Sequence, residues 1–154
     1  MYDKVINEIK PVSETWIDKA WARLDILSKP TRSLGYLEEL ASRVVAIYET
    51  EKPEIQKKAV YVFVGDHGIV EEGVSAYPQE VTALMVRNFL AGGAGINVLS
   101  RRAGADVYVI DIGMKEEITD APGLINKNVK RSTDNMAKGP AMAREEAERA
   151  KCRY

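Results

Sequence analysis

A single cysteine, Cys152, and a single histidine, His67, occur among 154 residues. One thiol excludes an intramolecular disulfide and any multi-cysteine metal site, and its place near the C-terminus marks it as an exposed spectator. One imidazole beside one thiol also leaves zinc sites and cysteine nucleophiles short of partners. Neither sign of charge is in excess: 22 basic against 23 acidic residues give a formal net charge of -1. That balance supplies no electrostatic footprint for a nucleic acid or an anionic membrane. The longest apolar run, around Val60, falls far short of the ~20 residues that span a bilayer. Tyr2, Asp3 and Lys4 follow Met1 where a secretion signal would be apolar. These absences describe a soluble, cytoplasmic chain with neither a nucleic-acid nor a membrane partner.

What is present is 45% apolar and 29% charged, a globular balance, in a length that suits one domain of ordinary size. No internal repeat, low-complexity tract or heptad pattern occurs. From Ser13 to Leu27, Trp16, Ile17, Ala20, Trp21, Leu24 and Leu27 recur at three- and four-residue steps, which predicts an amphipathic helix. Ser33 can cap a second helix whose Leu34, Leu37, Leu40, Ala41, Val44, Val45 and Tyr48 share one face, ending before Pro53. The two can pair as a helical layer over residues 1–54.

Residues 55–154 read differently. Ala59 to Gly65 (AVYVFVG) and Ala105 to Gly113 (ADVYVIDIG) are nearly continuous apolar, β-branched runs, the mark of parallel strands buried on both faces. Between them, Pro78 to Leu90 carries Val81, Leu84, Met85 and Phe89 on one side of a helix, and Ala94 to Ala103 follows the Gly92-Gly93 break. Strand, helical crossover and strand predict a right-handed βαβ unit and an α/β, parallel-sheet fold. After Gly113 the chain is polar and turn-rich; Leu124 to Val129 is a weak strand candidate and is assigned to loop. Pro140 can open a last helix containing Glu145, Glu146 and Glu148, a charge run of the solvated kind. Two strands do not make an independently stable sheet, so either further strands or a second polypeptide must complete it.

Ligands of open α/β sheets sit beyond the carboxyl ends of the strands, where Gly65-Asp66-His67-Gly68 stands. Asp66 can accept a hydrogen bond from a ligand and His67 can titrate near neutral pH; equally, Asp66 can cap the turn and His67 can pack on a helix. Asp111, at the end of the second strand, can orient a hydroxyl or a cation beside Asp66, or can satisfy the amides of its own turn. Ser75 and Thr82 are short hydroxyl residues, and Tyr77-Pro78 forms a rigid shoulder on which a flat aromatic ligand can stack. Val81, Leu84 and Met85 can line that pocket or be core. GGAGIN at 92–97 lacks the Lys-Ser/Thr ending of a P-loop and reads as a turn between helices.

Taken together, KPTRSLGYLEELA at 29–41, VGDHGIVEEGVSAYPQEVT at 64–82, NFLAGGAGINVLSRRAGADVYVIDIGM at 88–114 and TDNMAKGPAM at 133–142 resemble the nicotinate-nucleotide:dimethylbenzimidazole phosphoribosyltransferase family. The resemblance implies a Rossmann-like parallel sheet flanked by helices, here incomplete, with a small helical domain built partly from N-terminal residues, and homodimers. It implies phosphoribosyl transfer from nicotinate mononucleotide to 5,6-dimethylbenzimidazole with inversion at the anomeric carbon, giving α-ribazole 5'-phosphate for the lower ligand of cobalamin, with no metal or organic cofactor. The loop and helix from Ser75 to Met85 would take the benzimidazole, so the implied substrate-binding residues are Asp66, His67, Ser75, Tyr77, Pro78, Val81, Leu84, Met85 and Asp111. Two departures stand out. Leu84 occupies the place of the family's glutamine, and Arg32 replaces the commoner glycine of KPxGSLG and loses its freedom in φ. The family's glutamate base and glycine-rich phosphate loop lie C-terminal to the matched region, so no catalytic residue is assigned. The expectation is an N-terminal portion of such an enzyme, inactive alone, whose partner is a second copy or the missing C-terminal part. The alternative is a non-catalytic azole- or nucleotide-binding protein, or a subunit of a split enzyme.

Overall fold

A computed structural model describes residues 2–151, which divide into compact units over 3–56 and 57–151. Cys152 lies outside the described residues. The first unit is helical: α1 (Tyr2–Glu8), α2 (Glu14–Asp25) and α3 (Tyr36–Tyr48), with α2 packed on α3. On α2 the predicted stripe is turned inward as far as Leu24, with Ala20 buried and Trp16, Ile17, Trp21 and Leu24 half-buried, while Leu27 lies past the helix end and is exposed. On α3 the expectation holds only at Val44 and Val45, which are half-buried. The buried positions are Glu38, Ser42 and Ala46, one turn apart, while Leu37, Leu40 and Tyr48 are exposed. Small side chains at four-residue spacing let a helix approach its neighbour closely, and a two-helix layer has only one such face to bury. Glu38 tolerates burial because Lys29 Nζ lies 2.6 Å from its Oε1, and that oxygen also accepts from the Leu34 amide at 3.3 Å.

Ser33 does not cap α3. Gly35 holds that position with φ +55, a left-handed conformation that glycine adopts without penalty. Arg32 is left-handed too, with φ +61, where a side chain costs about 1 kcal/mol. Its guanidinium engages both Asp25 carboxylate oxygens at 3.1 and 3.2 Å and lies 3.9 Å over the Trp21 ring. The departure from glycine in KPTRSLG therefore comes with two interactions that glycine cannot make.

The second unit is a parallel sheet in the order β1 (Ala59–Gly65), β2 (Asp106–Gly113), β3 (Leu124–Asn126). Its register pairs Val62 with Val109 and Val109 with Leu124. The third strand corrects the assignment of Leu124–Val129 to loop. Three residues are too few to show a pattern of their own, and it is the edge of β2 that makes them a strand. The crossover from β1 to β2 consists of α4 (Glu80–Leu90) and α5 (Gly95–Ala103), joined through the glycine turn. Because side chains alternate along a strand, one face of the sheet carries Val62, Val64, Val107, Val109 and Leu124. These residues form the core with Val86, Phe89 and Leu90 of α4, together with Met114 and Ile118. The other face carries the exposed Tyr61, Phe63 and Tyr108 and the buried Ile110. The last helix, α6, runs Arg144–Lys151, so Pro140 precedes it and does not open it.

Candidate functional site

Beyond the carboxyl end of β1 the chain leaves the sheet at Asp66 and His67, makes a single 3₁₀ turn over Gly68–Glu72, and returns through Val74 to Gln79 into α4. A cavity of about 340 Å³ opens inside this excursion, within the size range of small-molecule sites. Asp66, His67, Ser75, Tyr77, Pro78, Val81 and Met85 all line it. Leu84 and Asp111 do not. Leu84 is 62% exposed on another side of α4. Asp111 borders a separate polar cavity with Glu117, Asn126, Asn128, Lys130 and Arg131.

The two aspartates have different company. The Asp66 carboxylate is buried, accepting from Thr82 Oγ1 at 2.6 Å and from the Lys115 amide at 2.9 Å. Its backbone donates to Gly113 O at 3.0 Å and accepts from the Thr133 amide at 3.1 Å. This one residue ties β1, α4, the turn after β2 and the 133–135 segment together. Asp111 Oδ1 accepts from the Gly113 and Met114 amides at 2.9 and 2.8 Å. The Asn128 side-chain amide spans both Asp111 oxygens at 3.1 and 3.0 Å. Of the two readings left open by sequence, the geometry displays the turn-amide one.

Tyr77 is presented by a local loop. Ser75 Oγ donates to Tyr77 O at 2.8 Å and accepts from its amide at 3.2 Å, which holds the ring at the cavity mouth with 70% of the residue exposed. His67 is exposed in extended backbone, and its carbonyl accepts from Gln79 Nε2 at 3.1 Å. Ile69, Val70, Val74, Val81 and Met85 add an apolar lining to that of Tyr77 and Pro78. The arrangement offers a mainly apolar cavity with a few polar groups, a lining suited to an aromatic ring system with a polar edge.

Several residues that hold this shape were not singled out from sequence. Gln79 bridges His67 O, Ser132 Oγ at 3.2 Å and Lys115 Nζ at 3.0 Å. Gly68 is fixed by crowding, since a Cβ there would stand 2.6 Å from Thr133 O and Asp134 C. Its amide donates to Thr133 Oγ1 at 3.2 Å. Asn135 Nδ2 reaches Glu72 Oε1 at 2.6 Å, and Lys138 Nζ lies 2.9 Å from Glu71 Oε2. The hydrogen bond from Lys138, then that from Asn135, holds the Glu71 carboxyl below the usual range, and the bond to Glu71 raises Lys138. The TDNMAK block thus clamps the 3₁₀ turn from outside. Ile69, Val70 and Val74 were readable as apolar residues in GIVEEGV; the long-range bonds had no local signal. Among the described residues no group of three histidine, cysteine or acidic residues is placed to hold a metal ion, and no helix is long and apolar enough to cross a membrane.

Comparison with known proteins places these observations in a family. A family model described as phosphoribosyltransferase matches residues 9–151. The nicotinate-nucleotide–dimethylbenzimidazole phosphoribosyltransferase of Geobacter metallireducens is 56% identical over 144 residues, 94% of this chain and 41% of that protein. The enzyme of the same name from Geobacter sulfurreducens is 54% identical over the same shares. The crystal structure of the corresponding Thermus thermophilus enzyme superposes with a TM-score of 0.83 at 52% identity, covering 89% of this chain and 42% of that one. The chain spans about 41% of the length of the curated relatives it matches, their N-terminal portion. The parallel α/β sheet, the glycine-flanked carboxylate at its edge and these matches agree: the chain belongs to the nicotinate-nucleotide:dimethylbenzimidazole phosphoribosyltransferase family.

Proposed function

We propose that the cavity beyond β1 is the azole-binding wall of a phosphoribosyl-transfer site. In the complete protein the phosphoribosyl group of nicotinate mononucleotide passes to a ring nitrogen of 5,6-dimethylbenzimidazole or a related azole. A nitrogen–carbon bond forms at the anomeric carbon as the bond to nicotinate breaks, and the azole proton leaves to a base. The products are α-ribazole 5'-phosphate and nicotinate. The observation that carries this reading is the convergence of Tyr77, Pro78, Val81 and Met85 with Asp66, His67 and Ser75 on one slot. The rings and aliphatic side chains hold the flat azole, Ser75 orders the Tyr77 loop, and the buried Asp66 fixes the slot against the sheet.

No residue of this chain takes the part of the base, which in the family is a glutamate C-terminal to the matched region, so the chain by itself contributes binding and not turnover. Leu84 stands where the resemblance implies a glutamine and lies off the cavity, which leaves either looser azole selectivity or a differently filled pocket. In this reading residues 3–56 form part of the small helical domain and 57–151 the first half of the Rossmann-like one. The working enzyme is a cytoplasmic homodimer, and no metal or organic cofactor enters the reaction.

Calorimetric titration of the chain with 5,6-dimethylbenzimidazole tests this. Saturable binding is expected, weakened roughly tenfold or more in Tyr77→Ala by loss of the stacking surface, with no α-ribazole 5'-phosphate formed when nicotinate mononucleotide is added. An affinity indifferent to Tyr77→Ala would remove the slot from consideration. Turnover by the chain alone, at the rate of a full-length relative, would overturn the assignment of the base to a later region.

A further inference from the structure

Two elements contribute to the cavity beyond β1, and they are held in different ways. Val81 and Met85 belong to α4, which Thr82 ties to the buried Asp66 at the end of β1. Ile69 and Val70 belong to the 3₁₀ turn Gly68–Glu72. Its own bonds are few: the Val70 amide donates to His67 O at 3.3 Å and the Gly73 amide to Val70 O at 3.0 Å. Gly73, left-handed with φ +70, closes it. A single 3₁₀ turn of this kind has poor internal geometry and takes its order from what meets it.

What meets it is the segment 133–138. At the start of the turn, Gly68 lies so close to the backbone of Thr133 and Asp134 that a Cβ has no room. At its end stands Asn135, buried at 8% exposure. The direction of the Asn135 amide is decided by its own loop, because Oδ1 accepts from the Ala137 amide at 3.0 Å. Nδ2 is then the group presented to the turn, and it donates to Glu72 Oε1 at 2.6 Å and to Glu71 Oε2 at 3.3 Å. One oriented amide thus bridges two adjacent carboxylates through charge-assisted bonds. Lys138 Nζ adds a cation 2.9 Å from Glu71 Oε2 and 3.6 Å from Glu72 Oε1, exposed and therefore weaker. Neither Asn135 nor Lys138 lines the cavity.

We propose that Asn135, supported by Lys138, is a positioning residue for azole binding: by fixing Glu72 and Glu71 it holds Ile69 and Val70 in the cavity lining, and so sets the affinity for a ligand it never touches. This rests on the reading of the cavity as the azole site. The physical ground is pre-organisation, since a lining ordered before the ligand arrives removes an ordering cost that would otherwise be subtracted from affinity.

Calorimetric titration of the chain with 5,6-dimethylbenzimidazole tests this through variants that alter the bond and little else. Asn135→Asp keeps the oxygen that caps the Ala137 amide and sets a second carboxylate oxygen against Glu72 in place of the donor. Affinity should fall roughly tenfold, the lower end of what one hydrogen bond to a charged group contributes. Adding Glu72→Gln supplies a donor from the other side, and the double variant should regain most of the affinity, a recovery that a general loss of stability would not show. Lys138→Met should weaken binding only about threefold, as befits an exposed ion pair. Hydrogen exchange reads the turn without ligand: the Val70 and Gly73 amides should exchange faster in Asn135→Asp and slow again in the double variant, while those of α4 keep their rates. An affinity unmoved by Asn135→Asp, a loss that Glu72→Gln does not repair, or unchanged exchange at Val70 and Gly73 overturns the inference. Binding that responds to Tyr77→Ala but not to Asn135→Asp removes this inference alone; absence of saturable binding by the unaltered chain removes the azole-site reading and the inference with it.

Discussion

The two faces of the sheet are built from the same strands and nearly the same chemistry, yet they differ in what they meet. Val64 and Val109 are buried against the wholly buried Val86 of α4, while Tyr61 and Phe63, which alternate with Val62 and Val64 along β1, are at least half exposed. A strand that is apolar on both faces encodes two layers, and residues 57–151 provide one helical layer in full. The difference teaches that apolar patterning reports the surroundings a strand is made for. Stability should therefore be concentrated on the core face and at the carboxyl rim, and be small at the exposed Tyr61 and Phe63 of the opposite face, where Ile110 is the buried residue of β2.

The rim gives the largest test. Asp66→Ala strips Thr82 Oγ1 and the Lys115 amide of their acceptor inside a buried site. The expected loss is about 3 kcal/mol in urea unfolding, the scale for orphaning partners of a buried charged group. A loss below about 1 kcal/mol would mean that the rim is held by its backbone bonds alone. On the core face, Val86→Ala should cost about 2 kcal/mol, since the residue is fully buried and its cavity is walled by rigid strands.

A smaller contrast lies in the helical unit, where the apolar stripe and the buried face of α3 do not coincide. Arg32, in left-handed backbone, is tied to Asp25 and Trp21. Arg32→Ala keeps the strain and loses both partners, whereas Arg32→Gly loses the partners and the strain together. The glycine variant should melt about 3 °C above the alanine one. Equal melting temperatures would show that the φ of residue 32 relaxes without cost. Smaller still is the effect on the open face: Tyr61→Ser should cost the isolated chain no more than about 1 kcal/mol, the scale of one exposed aromatic pair. A cost equal to that of Val86→Ala would abolish the distinction between the faces.

How far this was legible in the sequence follows from how local each signal is. β1, β2, α4 and α5 were readable because their apolar periods are carried by their own residues. β3 was not, because three residues become a strand only when β2 offers an edge. The face of α3 was misread because hydrophobicity favoured Leu37 and Leu40, while the close approach of two helices selected Ser42 and Ala46 and admitted Glu38 with Lys29 as its partner. The glycine-flanked carboxylate could be located at a sheet edge from pattern alone, and Arg32 could be seen as a lost glycine. The clamp could not, since Gly68 and Thr133 are 65 positions apart and meet only in the fold.

That clamp offers the finest probe of the rim. In the folded chain the Lys138 hydrogen bond depresses the Glu71 carboxyl and the same bond raises Lys138. A depressed acid stabilises the fold above its ordinary range and loses that contribution as pH falls through the folded value; a raised amine is lost as pH climbs through its own. The link between the 3₁₀ turn and the 133–138 segment should accordingly weaken at both acid and strongly alkaline pH and hold across the neutral range. Both groups are solvent-exposed, so the change in global stability is small and the sensitive measurement is the Glu71 carboxyl itself, followed by NMR titration. Lys138→Met removes the first-ranked cause of the depression, and the Glu71 titration should move up toward the ordinary carboxylate range, with Asn135 retaining part of the shift. A midpoint that stays put would place Asn135, and not Lys138, as the group holding the turn over the cavity.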